Sequence, residues 1–257
     1  MRIALLQMSA VPGDVPANLA RIATAAGEAA HQGVDLLIAP ELATVGYGAG
    51  EALRDLAEPR GGAQIASLAT IAADAGLAII AGFAEREGAC IYNSAVFTDG
   101  RAEPIIYRKS HLYGEYERAI FAAAEPTATI AEWRGLKLGL LICYDVEFPE
   151  NVRRLALAGA NLVAVPTALP VSPEAEMIAE RVIAVRAFEN QIFVVYANHT
   201  VRDDRFAYAG LSHVAAPDGS SLAKASATEA GLIIAEIRPE DYARSRAVNT
   251  YLRDLRR

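Results

Sequence analysis

Three residues have the types needed for acyl-transfer chemistry, and each stands at the end of an apolar run. Glu41 follows Leu36-Leu37-Ile38-Ala39-Pro40, Lys109 follows Ile105-Ile106-Tyr107-Arg108, and Cys143 follows Leu140-Leu141-Ile142. A carboxylate beside a thiol takes its proton, an ammonium holds a developing oxyanion, and a thiolate forms a thioester. Together these serve acyl transfer from a carbon–nitrogen bond. Singly, each has a plainer reading. A cysteine in an apolar strand is usually an inert core residue. A lysine leaving a strand is usually a solvated edge charge, and a carboxylate at a strand mouth serves equally well as a cap for the next turn. The combination favours chemistry, because three strand ends of one sheet system converge on one rim. The apolar run into Cys143, followed by Val146-Glu147-Phe148-Pro149-Glu150, also has the strand–turn–helix form that exposes the serine of elbow hydrolases.

Other chemistries find no support. His31, His111, His199 and His213 have no metal-ligand spacing. There is no G-x-S-x-G and no Walker loop, so neither a metal nor a cofactor is expected. Gly46-Tyr47-Gly48-Ala49-Gly50 is too irregular for a dinucleotide fingerprint and reads as a mobile loop near Glu41. A net charge of −7 argues against nucleic acid as a partner. No apolar run approaches a membrane span, and Met1-Arg2 leads into a short segment, Ile3 to Met8, that reads as a first strand and not a signal peptide. With only Cys90 and Cys143, the chain suits a reducing compartment, and a cytoplasmic location is expected.

The elements that must position these residues follow from periodicity. Apolar runs predict strands at Arg2–Met8, Asp35–Ala39, Leu77–Ala84, Cys90–Thr98, Pro104–Lys109, Leu136–Cys143, Asn161–Pro166, Ile192–Asn198, Ala207–Ala215, Leu222–Ala225 and Leu232–Ile237. Helical spacing predicts Asn18–Gln32, Gln64–Ala75, Glu150–Ala158, Ala175–Asn190 and Pro239–Arg246. Runs such as Ala78–Ile80 and Leu162–Val165 are apolar throughout, so both faces of their sheets are covered. With 257 residues, 53% of them hydrophobic, and no linker or charge block, residues 1–257 read as one α/β domain.

These blocks resemble the nitrilase, or carbon–nitrogen hydrolase, superfamily. Ala39-Pro40-Glu41-Leu42 with Gly46-Tyr47 looks like its first catalytic block, Tyr107-Arg108-Lys109-Ser110-His111-Leu112 its second, and Ile142-Cys143-Tyr144-Asp145 with Phe148-Pro149-Glu150 its third. Supporting blocks include Pro166-Thr167-Ala168, Arg186-Ala187-Phe188-Glu189-Asn190 and Gly210-Leu211-Ser212, and the likeness runs from Arg2 to about Arg253. A histidine, His199, stands after Asn198 where relatives often carry arginine. The resemblance implies an α-β-β-α sandwich with Glu41 as base, Lys109 on the oxyanion and Cys143 as nucleophile. It also implies a second glutamate shortly after the lysine. Glu117 fits, since the apolar Ala119–Phe121 turn after it would hold it inward, and Glu115 is the competitor. Tyr47, Tyr144 and Ala168 are expected on the substrate side.

The implied activity is amidase-like hydrolysis of a small-molecule amide, with N-carbamoyl or nitrile hydrolysis, or a non-catalytic binding or thiol-sensing relative, as alternatives. Leu169-Pro170-Val171-Ser172-Pro173-Glu174-Ala175-Glu176-Met177 is apolar and acidic, which disfavours an anionic substrate and suits a neutral or cationic amide. Glu174 and Glu176 serve equally as carboxylates favoured at a helix N-terminus. Family members commonly pair, so a homodimer or higher oligomer is expected across Glu150–Ala158 and Ala175–Asn190. Alternatively, both helices simply cover the sheet.

Overall fold

The computed structural model describes residues 1–256 and contains two six-stranded sheets. The first is built from β1 (Arg2–Gln7), β2 (Leu36–Ile38), β3 (Ala78–Glu87), β4 (Cys90–Thr98), β5 (Ile105–Arg108) and a late strand, β12 (Gly231–Glu236), in the order β12-β1-β2-β3-β4-β5. The second uses β6 (Ile130–Trp133), β7 (Leu136–Leu140), β8 (Leu162–Thr167), β9 (Phe193–Asn198), β10 (His213–Ala215) and β11 (Ser221–Lys224), in the order β11-β10-β9-β8-β7-β6. Each sheet is parallel at its centre, β1-β2-β3 and β7-β8-β9, and antiparallel at its edges.

The period of two in these strands sends alternate side chains to opposite faces. On the first sheet Ile3, Leu5, Leu36, Ile38 and Ile80 face the second sheet and pack with Leu138, Leu140, Val163 and Val165. The intervening Ala4, Leu6, Leu37 and Ile79 face outward against helix α1 (Val15–His31), through Ile22 and Ala26, and helix α3 (Ala63–Ala75), through Leu68 and Ala72. A short helix, α2 (Ala52–Leu56), lies between them in sequence. The second sheet is covered by α5 (Pro149–Leu157) and α6 (Ile183–Asn190), whose Leu155, Ile183 and Ala187 join the central core. Each such Ile or Leu contributes about 1.5–3 kcal/mol when fully buried. Gly139 permits the close approach of α5, because a Cβ there would lie 2.9 Å from Leu155 Cδ1. The result is the expected α-β-β-α sandwich, with α4 (Gly114–Ile120), α7 (Ala243–Val248) and α8 (Tyr251–Asp254) as smaller pieces.

Several expected elements are corrected. The strand predicted to reach Cys143 stops at Leu140, and a 3-10 turn covers Cys143–Glu147. Cys143 itself has φ 43°, a left-handed conformation that no strand continues through. The strand predicted from Ala207 begins only at His213, because Gly210 (φ 62°) and Leu211 (φ 57°) turn the chain away. The helix predicted from Ala175 starts as a π-helix, Met177–Val182, before becoming α6. The last helix divides into a 3-10 turn, Pro239–Tyr242, and α7. Gly46–Gly50 is packed rather than exposed: Tyr47 and Gly48 are buried, and a Cβ on Gly48 would overlap the Asp203 carboxylate at 2.2 Å. β6, α2 and α4 are additions to the sequence reading.

Candidate active site

The site residues come from both sheets, so the expectation that they share one sheet system is corrected. Glu41 follows β2 and Lys109 follows β5 in the first sheet, whereas Cys143 follows β7 in the second. They meet where the two sheets face each other. Glu117 arrives on α4, eight residues after Lys109, and is 1% exposed. Its competitor Glu115 points to solvent, with its side chain 97% exposed beside Arg118.

Lys109 organises the charges. Its Nζ donates to Glu41 Oε1 at 2.7 Å and to Glu117 Oε1 at 2.6 Å, with all three side chains essentially dry. Glu117 also accepts from the Tyr47 hydroxyl (2.9 Å) and the Tyr113 N–H (2.8 Å), so its position is held from three sides. Glu41 Oε1 accepts from Asn93 Nδ2 at 2.7 Å, and its Oε2 is buried with no hydrogen-bond partner among the described residues. The backbone of Glu41 is fixed as well: His199 Nε2 lies 2.7 Å from its carbonyl, an N–H donor in the tautomer this contact selects.

Burial and charge set the proton affinities in opposite directions. Burial lifts the Glu41 carboxyl to about 7, against the pull of the Lys109 ammonium and with a push from Glu117. Burial alone would lower the Lys109 ammonium, but the two carboxylates outweigh it and hold that ammonium well above the ordinary lysine value. Burial, reinforced by Glu41 and partly opposed by Lys109 and the Ala168 N–H, pushes the Cys143 thiol well up. The proton affinities of the Cys143 thiol and the Glu41 carboxyl are thus both raised by the same burial.

The turn that carries Cys143 is tied to the loop that carries Lys109 through one buried carboxylate. Asp145 Oδ1 accepts from the Ser110 N–H (3.2 Å), Ser110 Oγ (2.7 Å) and the His111 N–H (2.8 Å). Its Oδ2 accepts from Tyr107 OH (2.9 Å) and the Ile142 N–H (3.2 Å). His111 Nδ1 lies 3.0 Å from Oδ1, and its ring stacks on Phe148 at 3.9 Å. One side chain thus pins both sides of the site.

A cavity of about 320 Å³ opens above the thiol. Tyr47, Tyr144 and Ala168, expected on the substrate side, all line it together with Cys143 and Glu117. Its outer wall is formed by Leu169, Pro170, Ile178, Tyr113, Glu147 and Glu174. Tyr144 is steadied by edge-to-face contacts with Tyr113 (5.2 Å) and Phe148 (4.9 Å).

Comparison with known proteins decides the family. Residues 2–247 match the carbon-nitrogen hydrolase family. The chain belongs to it. This hydrolase is 44% identical to a protein of Pseudomonas protegens described as a hydrolase in the pqqF 5' region, over all of this chain and 89% of that one. It is 35% identical to an (R)-stereoselective amidase of a Pseudomonas species, over all of this chain and 92% of the relative. Among solved structures it resembles an amidase from a Nesterenkonia species, with a TM-score of 0.89 and 35% identity across all of this chain and 93% of that one. Two variants of that amidase, each substituted at a glutamate, have been seen with acrylamide added at the active-site cysteine and with the acetamide moiety of fluoroacetamide added covalently there.

Sequence reasoning missed the supports of this hydrolase's site. Asp145 stood inside a quoted block with no local cue that its carboxylate turned inward, and Asn93 lay mid-strand. The alternation of β4 was the available signal for Asn93, since it places that residue on the same face as Ala95 and Phe97, toward the central core.

Proposed function

We propose that this hydrolase is a cysteine-dependent amidase that converts a small neutral or cationic amide to its acid and ammonia. The observation that carries the reading is the dry Lys109 side chain bridging Glu41 and Glu117 beside the cavity-lining Cys143 thiol. As the sulfur attacks the amide carbon, its proton passes to Glu41. Lys109 and the backbone N–H of Tyr144 hold the oxyanion. Glu41 then gives the proton to the departing nitrogen, ammonia leaves, and a thioester stays on Cys143. A water deprotonated by Glu41 attacks that thioester, and the acid departs as the thiol is restored. Glu117 keeps Lys109 in place and orients the leaving nitrogen, while Asp145 acts as a positioning residue for both loops.

Cys90 and Cys143 are free thiols, which supports a reducing, cytoplasmic setting. No described helix is long and apolar enough to cross a membrane. Leu157, Met177 and Val185 are exposed apolar side chains on the outer helices, which supports pairing of subunits there.

The test is ammonia release from a panel of small amides, nitriles and N-carbamoyl amino acids, run with Cys143→Ala alongside. Amides should turn over and the variant should lose at least about 10⁴-fold, since it lacks the atom that forms the intermediate. Undiminished turnover by the variant would sink the scheme.

A further inference from the structure

The amidase reading leaves open the charge of the substrate, and the cavity wall bears on it. Among the twelve residues lining the cavity, Glu117, Glu147 and Glu174 are carboxylates and none is lysine, arginine or histidine. Glu117 is committed to Lys109, Tyr47 and Tyr113. Glu147 and Glu174 enter no ion pair among the described residues.

Neither cation that acts on Glu147 fills the gap, since the Lys109 ammonium is engaged by Glu41 and Glu117. Arg186 donates to the carbonyls of Val146 (2.9 Å) and Glu147 (2.6 Å) and pairs with Glu189 (3.1 Å), so its guanidinium is occupied by backbone and by a different carboxylate. Glu147 sits four residues after the nucleophile in the same turn and is half-buried, and burial pushes its carboxyl up despite Lys109 and Arg186. A desolvated carboxylate is costly without a counter-charge. Glu174 stands exposed at the rim on the segment after β8. Tyr113 and Tyr144, edge to face at 5.2 Å, add aromatic faces that attract an ammonium group.

We infer that the cavity selects amides whose acyl chain carries an ammonium group, with Glu147 and Glu174 forming its cation subsite. This rests on the amidase reading for the position of the reacting carbonyl at Cys143. The remaining wall, Leu169, Pro170 and Ile178, is apolar and takes the methylenes between the two ends.

The experiment measures binding in the Cys143→Ala background, where no turnover is expected, using matched amides that differ only in ammonium for methyl: 4-aminobutanamide against pentanamide, and 3-aminopropanamide against butanamide. Calorimetry at pH 7 should show the cationic member binding about ten-fold tighter, as expected for two half-solvated charge contacts of about 0.7 kcal/mol each. Glu147→Gln added to Cys143→Ala should reduce that ratio several-fold, and Glu174→Gln should reduce it less, as the more solvated of the two. Glu176→Gln, two residues on, exposed and outside the cavity lining, should leave the ratio intact. Equal affinity within each pair, no affinity for any of the four, or a ratio untouched by both cavity substitutions would overturn the subsite. Ammonia release by the unsubstituted protein is measured in parallel. If it is absent while the cation preference and its dependence on Glu147 persist, the catalytic reading falls and the subsite stands.

Discussion

Arg108 and Lys109 are neighbours in the chain, yet they serve two opposite kinds of charge cluster. Arg108 donates to Glu85 Oε2 through Nε (2.9 Å) and to Glu85 Oε1 through Nη2 (2.6 Å), and it also pairs with Glu87, while Arg60 adds a second cation at Glu85 (2.8 Å). There cations match carboxylates and water reaches the rim, since Arg60 is 54% and Glu87 61% exposed. Although burial works against it, hydrogen bonds from Arg108, Ser94 and Arg60 hold the Glu85 carboxyl below its ordinary value. One residue on, a single lysine faces two dry carboxylates, and burial lifts Glu41 to about 7. Both clusters set glutamates against basic side chains, so the mere presence of ion pairs does not decide the outcome. The ratio of cations to carboxylates and the access of water do, and a base that titrates near neutrality exists only in the cluster short of both.

The comparison breaks most visibly at Lys109. Lys109→Met should lower kcat/KM by about 10³-fold or more through loss of an oxyanion donor, and should destabilise the fold by about 3–5 kcal/mol by leaving buried carboxylates without their cation. Steady-state ammonia release and denaturant unfolding measure the two parts. Next comes Asp145→Asn, which turns one of the two acceptor oxygens shared by two loops into a donor that faces donors. A loss of about 10²-fold in kcat is expected from displaced reacting groups, with KM moving much less and the acid limb of the pH profile retained.

The pH behaviour sharpens the contrast further. Turnover should fall as pH drops through about 7, because protonated Glu41 cannot accept the thiol proton. The two carboxylates also have opposite signs in stability. Glu41 is raised, so the cost of its ionisation in the fold accrues as pH climbs from 4.5 to about 7. Glu85 is depressed, so its contribution is complete above the ordinary carboxylate value of 4.5 and is lost as pH falls through its lower folded value. Glu85→Gln should therefore cost about 1–3 kcal/mol at neutral pH, a penalty that fades in acid, with turnover little changed. The smallest effect belongs to Arg60→Ala, under about 1 kcal/mol in denaturant unfolding, because its guanidinium is largely solvated.

How much of this was legible in the chain depends on the distance over which each feature is decided. The strand Cys90–Thr98 was read to the residue, since its alternation and its flanking Glu87-Gly88 and Asp99-Gly100 turns are all local. Glu41, Lys109 and Cys143 drew notice for the same reason, as each ends an apolar run. That they come from different sheets was not readable, because strand partners are chosen by packing across the whole chain. The φ of 43° at Cys143 is imposed on a residue that does not favour it, by Asp145 holding Ile142 from one side and the Lys109 loop from the other. Glycine would have announced such a turn, and cysteine conceals it. Gly46–Gly50 misled for the converse reason: its glycines admit close contacts, such as the Gly48 backbone against Asp203, and not mobility.

The division of the site between two sheets has a meaning in time as well as in space. A chain is made from its N-terminus, and domains condense as their parts appear. Glu41, Lys109 and Glu117 all emerge before Cys143, and β12, which pairs with β1, emerges near the end. Glu41 and Lys109 stand on the first sheet and Cys143 on the second, so the three come together only where the two sheets face each other. Assembly of the site and completion of the fold are therefore a single event, with no part of the chain able to hold the cluster alone.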